Sequence, residues 1–150
     1  MSGYATLVAH LKSAEYLGLR EISQAYDGPL RLVLEEQRTS PNAEKRPDLD
    51  ISAFSIEHTN EDKIFELIWD DYVSVSLTAD EYPPHDGSYT GAKSGYFQEN
   101  LPSDFLTYIQ AEKSQLFDIY DGELKNWKIV TLTRYVEVVS YSPLQISLLR

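Results

Sequence analysis

The sequence predicts an α+β fold: a largely antiparallel β-sheet with one helix in the C-terminal half, over about residues 103–114, and a second helix at the N-terminus. Three observations carry this. Several stretches alternate apolar and polar residues, which marks strands with one buried face. They follow one another through short turn signals, which favours antiparallel pairing over a doubly wound parallel sheet. Two other segments repeat their apolar residues at helical spacing.

The first helical segment holds Tyr4, Leu7, Val8, Leu11 and Ala14 at i, i+3, i+4, i+7 and i+10, one helical face. Ser2 is the expected cap of its start and Gly18 the expected close of its end. Ala5, Leu7, Ala9 and Leu11 also alternate, so a strand over Ala5–Leu11 is the alternative. "LREISQAYDGPLRLVLEE" reads as a hairpin turning at Asp27-Gly28, with Pro29 following. Beyond the turn, Leu30, Leu32 and Leu34 alternate with Arg31, Val33 and Glu35. "QRTSPNAEKRP" is polar, holds two prolines and shows no period, which predicts a mobile surface loop. "DLDISAFSIEH" returns to strand-like alternation, and "TNEDK" is a tight polar turn.

The most patterned stretch is "IFELIWDDYVSVSL", with Asp70 and Asp71 at its centre. On one continuous strand, Phe65, Leu67, Trp69, Asp71, Val73, Val75 and Leu77 share a face, and all but Asp71 are apolar. A two-residue turn at Asp70-Asp71 would set Leu67 opposite Ser74 and Phe65 opposite Ser76, pairing apolar with polar. The expectation is therefore a bent strand without reversal, bulged near the two acids, with Asp71 lifted outward or held by a partner. Adjacent strand residues point to opposite faces, so Asp70 and Asp71 are poorly placed to act as a carboxylate dyad.

After Leu77 the pattern stops. Residues 79–97 read as a long loop, the expected place for a site. "LPSDFLTYIQAEKSQL" is the second helix: Ser103 caps it, Asp104 suits its positive end, and Phe105, Tyr108, Ile109 and Glu112 keep helical spacing, with Leu116 one turn further. "FDIYDGELKN" is a turn region. "WKIVTLTRYVEVVSY" predicts one or two strands, with Val130, Leu132, Val136 and Val138 on one face if the run is unbroken. Pro143 interrupts it, and "LQISLL" follows as a short strand or extended tail. No repeat and no linker interrupts the chain, so residues 1–150 are expected to form one domain, long enough to bury about 70% of the surface the unfolded chain exposes.

Composition narrows function mainly by exclusion. The absence of cysteine removes disulfides, thiolate nucleophiles and cysteine zinc sites. No apolar run is long enough to span a membrane, and the N-terminus lacks the features of a signal peptide, so a cytoplasmic protein is expected. Twenty-four acids against 13 bases give a net charge of −11. That surface repels phosphate backbones, which argues against nucleic acid, and attracts a basic protein over long range. The same charge also serves plain solubility. The 11 tyrosines suit half-buried strands and interfaces alike.

No phosphate-binding glycine loop, GxSxG, HExxH or EF-hand pattern is present, and no cofactor or catalytic residue is expected. The best local cluster is "DEYPPHDG", where Asp80, Glu81, His85 and Asp86 offer oxygen and imidazole ligands to a divalent cation, although acids clustered in a proline-rich loop are more often simply solvated. The candidate binding residues are Tyr72, Glu81, Tyr82, His85, Asp86, Tyr89 and Tyr96.

From about Leu17 onward the chain resembles a family of small, uncharacterised bacterial proteins. The stretches that carry this are "GLREISQAYDGPLRLVLEE", "IFELIWDDYVSVSLTADEY", "PSDFLTYI" and "YVEVVSYSPLQI", in that order. In the family an aromatic-rich strand leads into a short acid-containing stretch, matched here by "TADEY" with Glu81. A serine-started helix and a hydrophobic strand followed by proline come next. The family often has asparagine before the glutamate, where Asp80 stands here. The resemblance implies no established activity and assigns no catalytic role.

Three functional readings follow from the residues. The first is a non-enzymatic binding protein, with an immunity-type inhibitor of a basic toxin as its concrete form. The second is a small-ligand binder or enzyme that uses the 79–97 loop. The third is a homo-oligomer that buries its aromatic face against a second copy.

Overall fold

The computed structural model describes residues 3–46, 51–79, 97–112 and 123–150. Helix α1 spans Tyr4–Ser13 and α2 Asp104–Glu112. The strands are β1 Tyr16–Gln24, β2 Leu30–Arg46, β3 Ile51–Glu57, β4 Ile64–Trp69, β5 Tyr72–Ala79, β6 Phe97–Glu99, β7 Lys125–Val130, β8 Arg134–Ser140 and β9 Gln145–Leu148. The fold is α+β, with every described strand pair antiparallel.

The strands form two sheets. One runs β1-β2-β4-β9, with β3 paired to the far end of β2; the other runs β5-β8-β7-β6. Their apolar faces meet in one core. Leu30, Leu32, Leu34, Phe65, Leu67 and Trp69 come from the first sheet, and Phe97, Trp127, Ile129, Val136 and Val138 from the second. The Trp69 and Trp127 rings lie 5.6 Å apart, tilted at 60°, one from each sheet. α1 adds Val8, Leu11 and Ala14 to that core and packs against β9 and β6.

The N-terminal helix forms as its spacing predicts, and the strand alternative does not. Leu7, Val8, Leu11 and Ala14 are buried, but Tyr4 is half-exposed and gives its hydroxyl to Glu99. Burial and the Glu99 carboxylate push the Tyr4 phenol well above its usual range. Gly18 does not close the helix. The chain leaves α1 through Ala14, and Gly18 sits within β1, where a Cβ would stand 2.5 Å from the Gln37 side chain. Ser2 lies outside the described residues.

The β1–β2 hairpin turns where Asp27-Gly28 predicts. Asp27 takes a left-handed φ of 54°, which aspartate tolerates better than most residues, and a Cβ on Gly28 would come within 2.8 Å of Ala25 Cβ. The polar stretch after it is a correction. Residues 37–46 are strand, not loop: β2 runs on past its sheet to pair with β3. The register slips between Thr39 and Ala43, around Pro41, so the residue that lacks a backbone N–H sits at the irregularity. Polar composition misled here because β3 completes the ladder of this stretch, a partner that the local pattern does not name.

Ile64–Leu77 is neither one strand nor a hairpin. β4 belongs to the first sheet and β5 to the second, and the two do not pair. Asp70 and Asp71 form the corner that carries the chain across, and both are exposed. Serine side chains satisfy its backbone: Asp71 N–H donates to Ser142 Oγ at 3.0 Å, and Ser140 Oγ donates to the Asp71 carbonyl at 3.1 Å. The expected bulge is present just after the acids, between Tyr72 and Ser74. It turns Val73 toward α2 while Tyr72 and Val75 face the main core. Leu77, expected inside, is 47% exposed.

The run after Trp127 divides into β7 and β8 around Thr131–Thr133, which breaks the single face expected for Val130, Leu132, Val136 and Val138. β9 returns to the first sheet beside β4, where Leu67 pairs with Ile146. Among the described residues no helix is long and apolar enough to cross a membrane.

Candidate functional site

The outward face of the second sheet carries the most unusual chemistry in the molecule. Alternation along β7 and β8 turns Trp127, Ile129, Val136 and Val138 into the core, so Asn126, Lys128, Glu137 and Val139 point the other way. Polar residues on that face are expected in water. Here Asn126, Lys128 and Glu137 are each at most 2% exposed.

α2 lies on this face. Ser103 caps it, accepting the Leu106 N–H at 3.0 Å, and Asp104 stands in the positive first turn as expected. Ile109 is buried, and Phe105 and Leu106 pack with it against Val139, Leu124, Val73 and Tyr141. Tyr108 and Glu112, which share the spacing, face solvent.

Beneath the cap, the polar groups close on one another. The Ser103 hydroxyl donates to the Glu137 carboxylate, and Asn126 Nδ2 donates to the same carboxylate at 3.0 Å. Asn126 Nδ2 also reaches the Leu101 carbonyl at 2.7 Å, and Lys128 Nζ reaches the Pro102 carbonyl at 2.8 Å. Lys128 and Glu137 stand directly opposite across the β7–β8 ladder. The Leu101 and Pro102 carbonyls thus each answer a donor on the sheet, while the Ser103 carbonyl takes the Thr107 N–H within α2. A buried carboxylate is tolerable only under such saturation.

Beside this network a cleft of about 420 Å³ opens between α2 and the start of β7. Asn100, Ser103, Thr107, Gln110, Lys125 and Asn126 supply most of its polar lining. The size suits a small metabolite, and the lining is mainly amide and hydroxyl. As chemistry, Ser103 and Glu137 make a serine–carboxylate pair, but the serine proton is already committed and its lone pair holds the helix. The pair acts as a clasp for α2.

A second saturated acid lies in the β3–β4 turn. Asp62 is 1% exposed and takes the Thr59 N–H at 2.7 Å and Arg38 Nε at 2.7 Å. Burial pushes its carboxyl up, but Arg38 and Thr59 pull harder, and the net shift is downward. Among the described residues no group of three or more His, Asp or Glu is arranged to hold a metal ion.

Of the sequence-predicted binding residues, Tyr72 is half-buried against the main core. Glu81, Tyr82, His85, Asp86, Tyr89 and Tyr96 lie outside the described residues, as does most of the 79–97 segment. The Ser103–Glu137–Lys128–Asn126 network went unnoticed in the sequence apart from the cap. One signal was present: a turn at Thr131–Thr133 sets Lys128 opposite Glu137.

No protein-family model matches the chain, and neither a curated protein nor a solved structure does.

Proposed function

We propose that this chain is a non-enzymatic, cytoplasmic binding protein whose partner is a basic protein, in the manner of an immunity-type inhibitor that covers a cationic surface. The observation that carries this is the net charge of −11. A field of that sign steers a basic partner into encounter and makes association fall with ionic strength. The end of the first sheet offers a contact of matching chemistry. Tyr26, at the hairpin tip, is 99% exposed and is followed by exposed Asp27. Leu30 pairs with Trp69, so exposed Asp70 and Asp71 share that end. A protruding tyrosine among carboxylates suits lysine and arginine by charge and by cation–π contact.

The test is affinity capture from the native host at low salt, then association kinetics with the purified partner. The expected partner is basic, and its on-rate drops steeply with salt. Tyr26→Ala is expected to raise the off-rate, and Asp27→Asn with Asp70→Asn to slow association. Recovery of no basic protein at low ionic strength counts against the reading.

The cleft beside α2 favours a second reading, a small-ligand binder. A thermal-shift screen with metabolites and divalent cations separates the two, since a ligand that binds only the folded chain raises Tm. The likeness to the small bacterial family belongs to the same proposal and brings no activity with it. Light scattering distinguishes either reading from a homo-oligomer.

A further inference from the structure

The turn between β3 and β4 holds an imidazole with both nitrogens committed. His58 Nδ1 lies 2.7 Å from the Glu36 backbone carbonyl oxygen. A carbonyl only accepts, so Nδ1 carries the proton. Nε2 lies 2.5 Å from an Arg150 guanidinium nitrogen. A guanidinium only donates, so Nε2 is the bare acceptor. Only the neutral ring, in this one tautomer, satisfies both neighbours.

What Arg150 anchors is the outer edge of the first sheet. Its guanidinium also donates to the Thr59 carbonyl at 3.1 Å. Its backbone carbonyl accepts the Ile64 N–H at 3.0 Å, and Leu149 N–H donates to the Ile64 carbonyl at 2.8 Å. These bonds extend the β4–β9 ladder beyond Leu148. Residues 147–150 are exposed, and β9 is the last strand in the sheet order.

We propose that His58 is a proton-sensitive latch on this edge: the neutral imidazole holds Arg150, and the imidazolium expels it and loosens the end of β9. Protonation places an N–H on Nε2 that faces the guanidinium N–H groups. The hydrogen bond is lost and two cations are left in contact. The other charged groups around the ring set the balance. The Glu35 carboxylate on β2 lies 3.9 Å from Nδ1. The Glu36 carboxylate takes the Lys63 N–H at 3.4 Å, and Asp62 is engaged by Arg38 and Thr59. Among the described residues, the charge that faces Nε2 is the Arg150 guanidinium. Proton binding and Arg150 release are therefore linked, each favouring the other. With β9 loosened, the outer edge of β4 near Ile64 is uncovered, and an open strand edge is a pairing surface.

The experiment is amide hydrogen exchange on the full chain between pH 8 and pH 5, the range in which an imidazole changes charge. Rates are corrected for intrinsic pH dependence and referenced to Leu32 and Leu34. In the native chain the protection of Leu149 and Ile64 falls roughly tenfold or more on acidification, the factor for losing one hydrogen bond to a charged group. His58→Gln abolishes that dependence. Arg150→Met, a change at an exposed side chain, brings protection at pH 8 down to the native pH 5 level and keeps the test decisive if His58→Gln misfolds. Flat protection in the native chain overturns the proposal. So does a pH dependence that survives His58→Gln, because His10 is still present there.

Discussion

Glu137 offers the sharpest test of how α2 is fixed to the sheet. Its carboxylate accepts the Ser103 hydroxyl and Asn126 Nδ2, and it stands across from Lys128, with both ionic residues at most 2% exposed. Glu137→Ala removes the acceptor for two buried donors, the Ser103 hydroxyl and Asn126 Nδ2. Leaving a buried donor without its acceptor costs about 1–3 kcal/mol, so about 2–6 kcal/mol for the two. That is a large share of the roughly 5–15 kcal/mol that holds a domain of this size folded. Glu137→Gln keeps an acceptor oxygen and the shape but loses the charge, which sets its cost at about 1–3 kcal/mol. Lys128→Met combined with Glu137→Leu removes both charges. The two residues stand opposite in the ladder, so a coupling of about 0.5–3 kcal/mol between the two changes is expected. Urea unfolding followed by tryptophan fluorescence reads all of these, because Trp69 and Trp127 sit together in the core. A Glu137→Ala cost below about 1 kcal/mol at unchanged m-value, or no coupling to Lys128, refutes the account of the network as a clasp.

The two central acids of the Ile64–Leu77 stretch give a cheaper test. Asp71 is exposed and engaged through its backbone, so Asp71→Ala is expected to change stability by no more than about 0.5 kcal/mol in the same assay. Ser140→Ala, which strips a buried hydroxyl from that corner, should cost about 1–2 kcal/mol. Asp62 provides a pH test. Its folded-state carboxyl lies below its ordinary value, so the unfolded chain takes up protons first as pH falls. The stabilisation is complete above the ordinary carboxylate range and is lost as pH drops through the folded value. Asp62→Asn is therefore expected to cost about 1–3 kcal/mol at pH 7, with the gap to the native chain closing below about pH 4 in urea titrations.

The local features that sequence pattern identifies are those decided within a few residues. The α1 stripe of Leu7, Val8 and Leu11, the Asp27-Gly28 turn and the Ser103 cap each follow from spacing or from one side chain meeting the next backbone groups. Several of the readings that failed concern partners distant in the chain. Polar residues 38–46 become a strand because β3 supplies its hydrogen bonds. Tyr4 and Tyr108 hold helical positions yet face outward, because the stripe each helix buries is narrower than its full apolar spacing.

The candidate site shows the same division more sharply. Ser103 was legible as a cap, but its bond to Glu137 spans 34 residues and depends on α2 lying across β8. Lys128 and Glu137 read as ordinary outward residues of alternating strands, and nothing local says that a helix covers that face. The sequence by itself determined the α+β class, the turns at Asp27-Gly28 and over residues 59–63, and which residues of each strand are apolar, because backbone sterics and side-chain period act over two to four residues. Tertiary structure alone decided that the chain crosses between sheets at Asp70-Asp71, that β9 returns to β4, and that a polar face is sealed beneath α2. Those outcomes rest on pairing and burial between segments far apart in sequence, where an alternating pattern marks a face for burial but not what buries it.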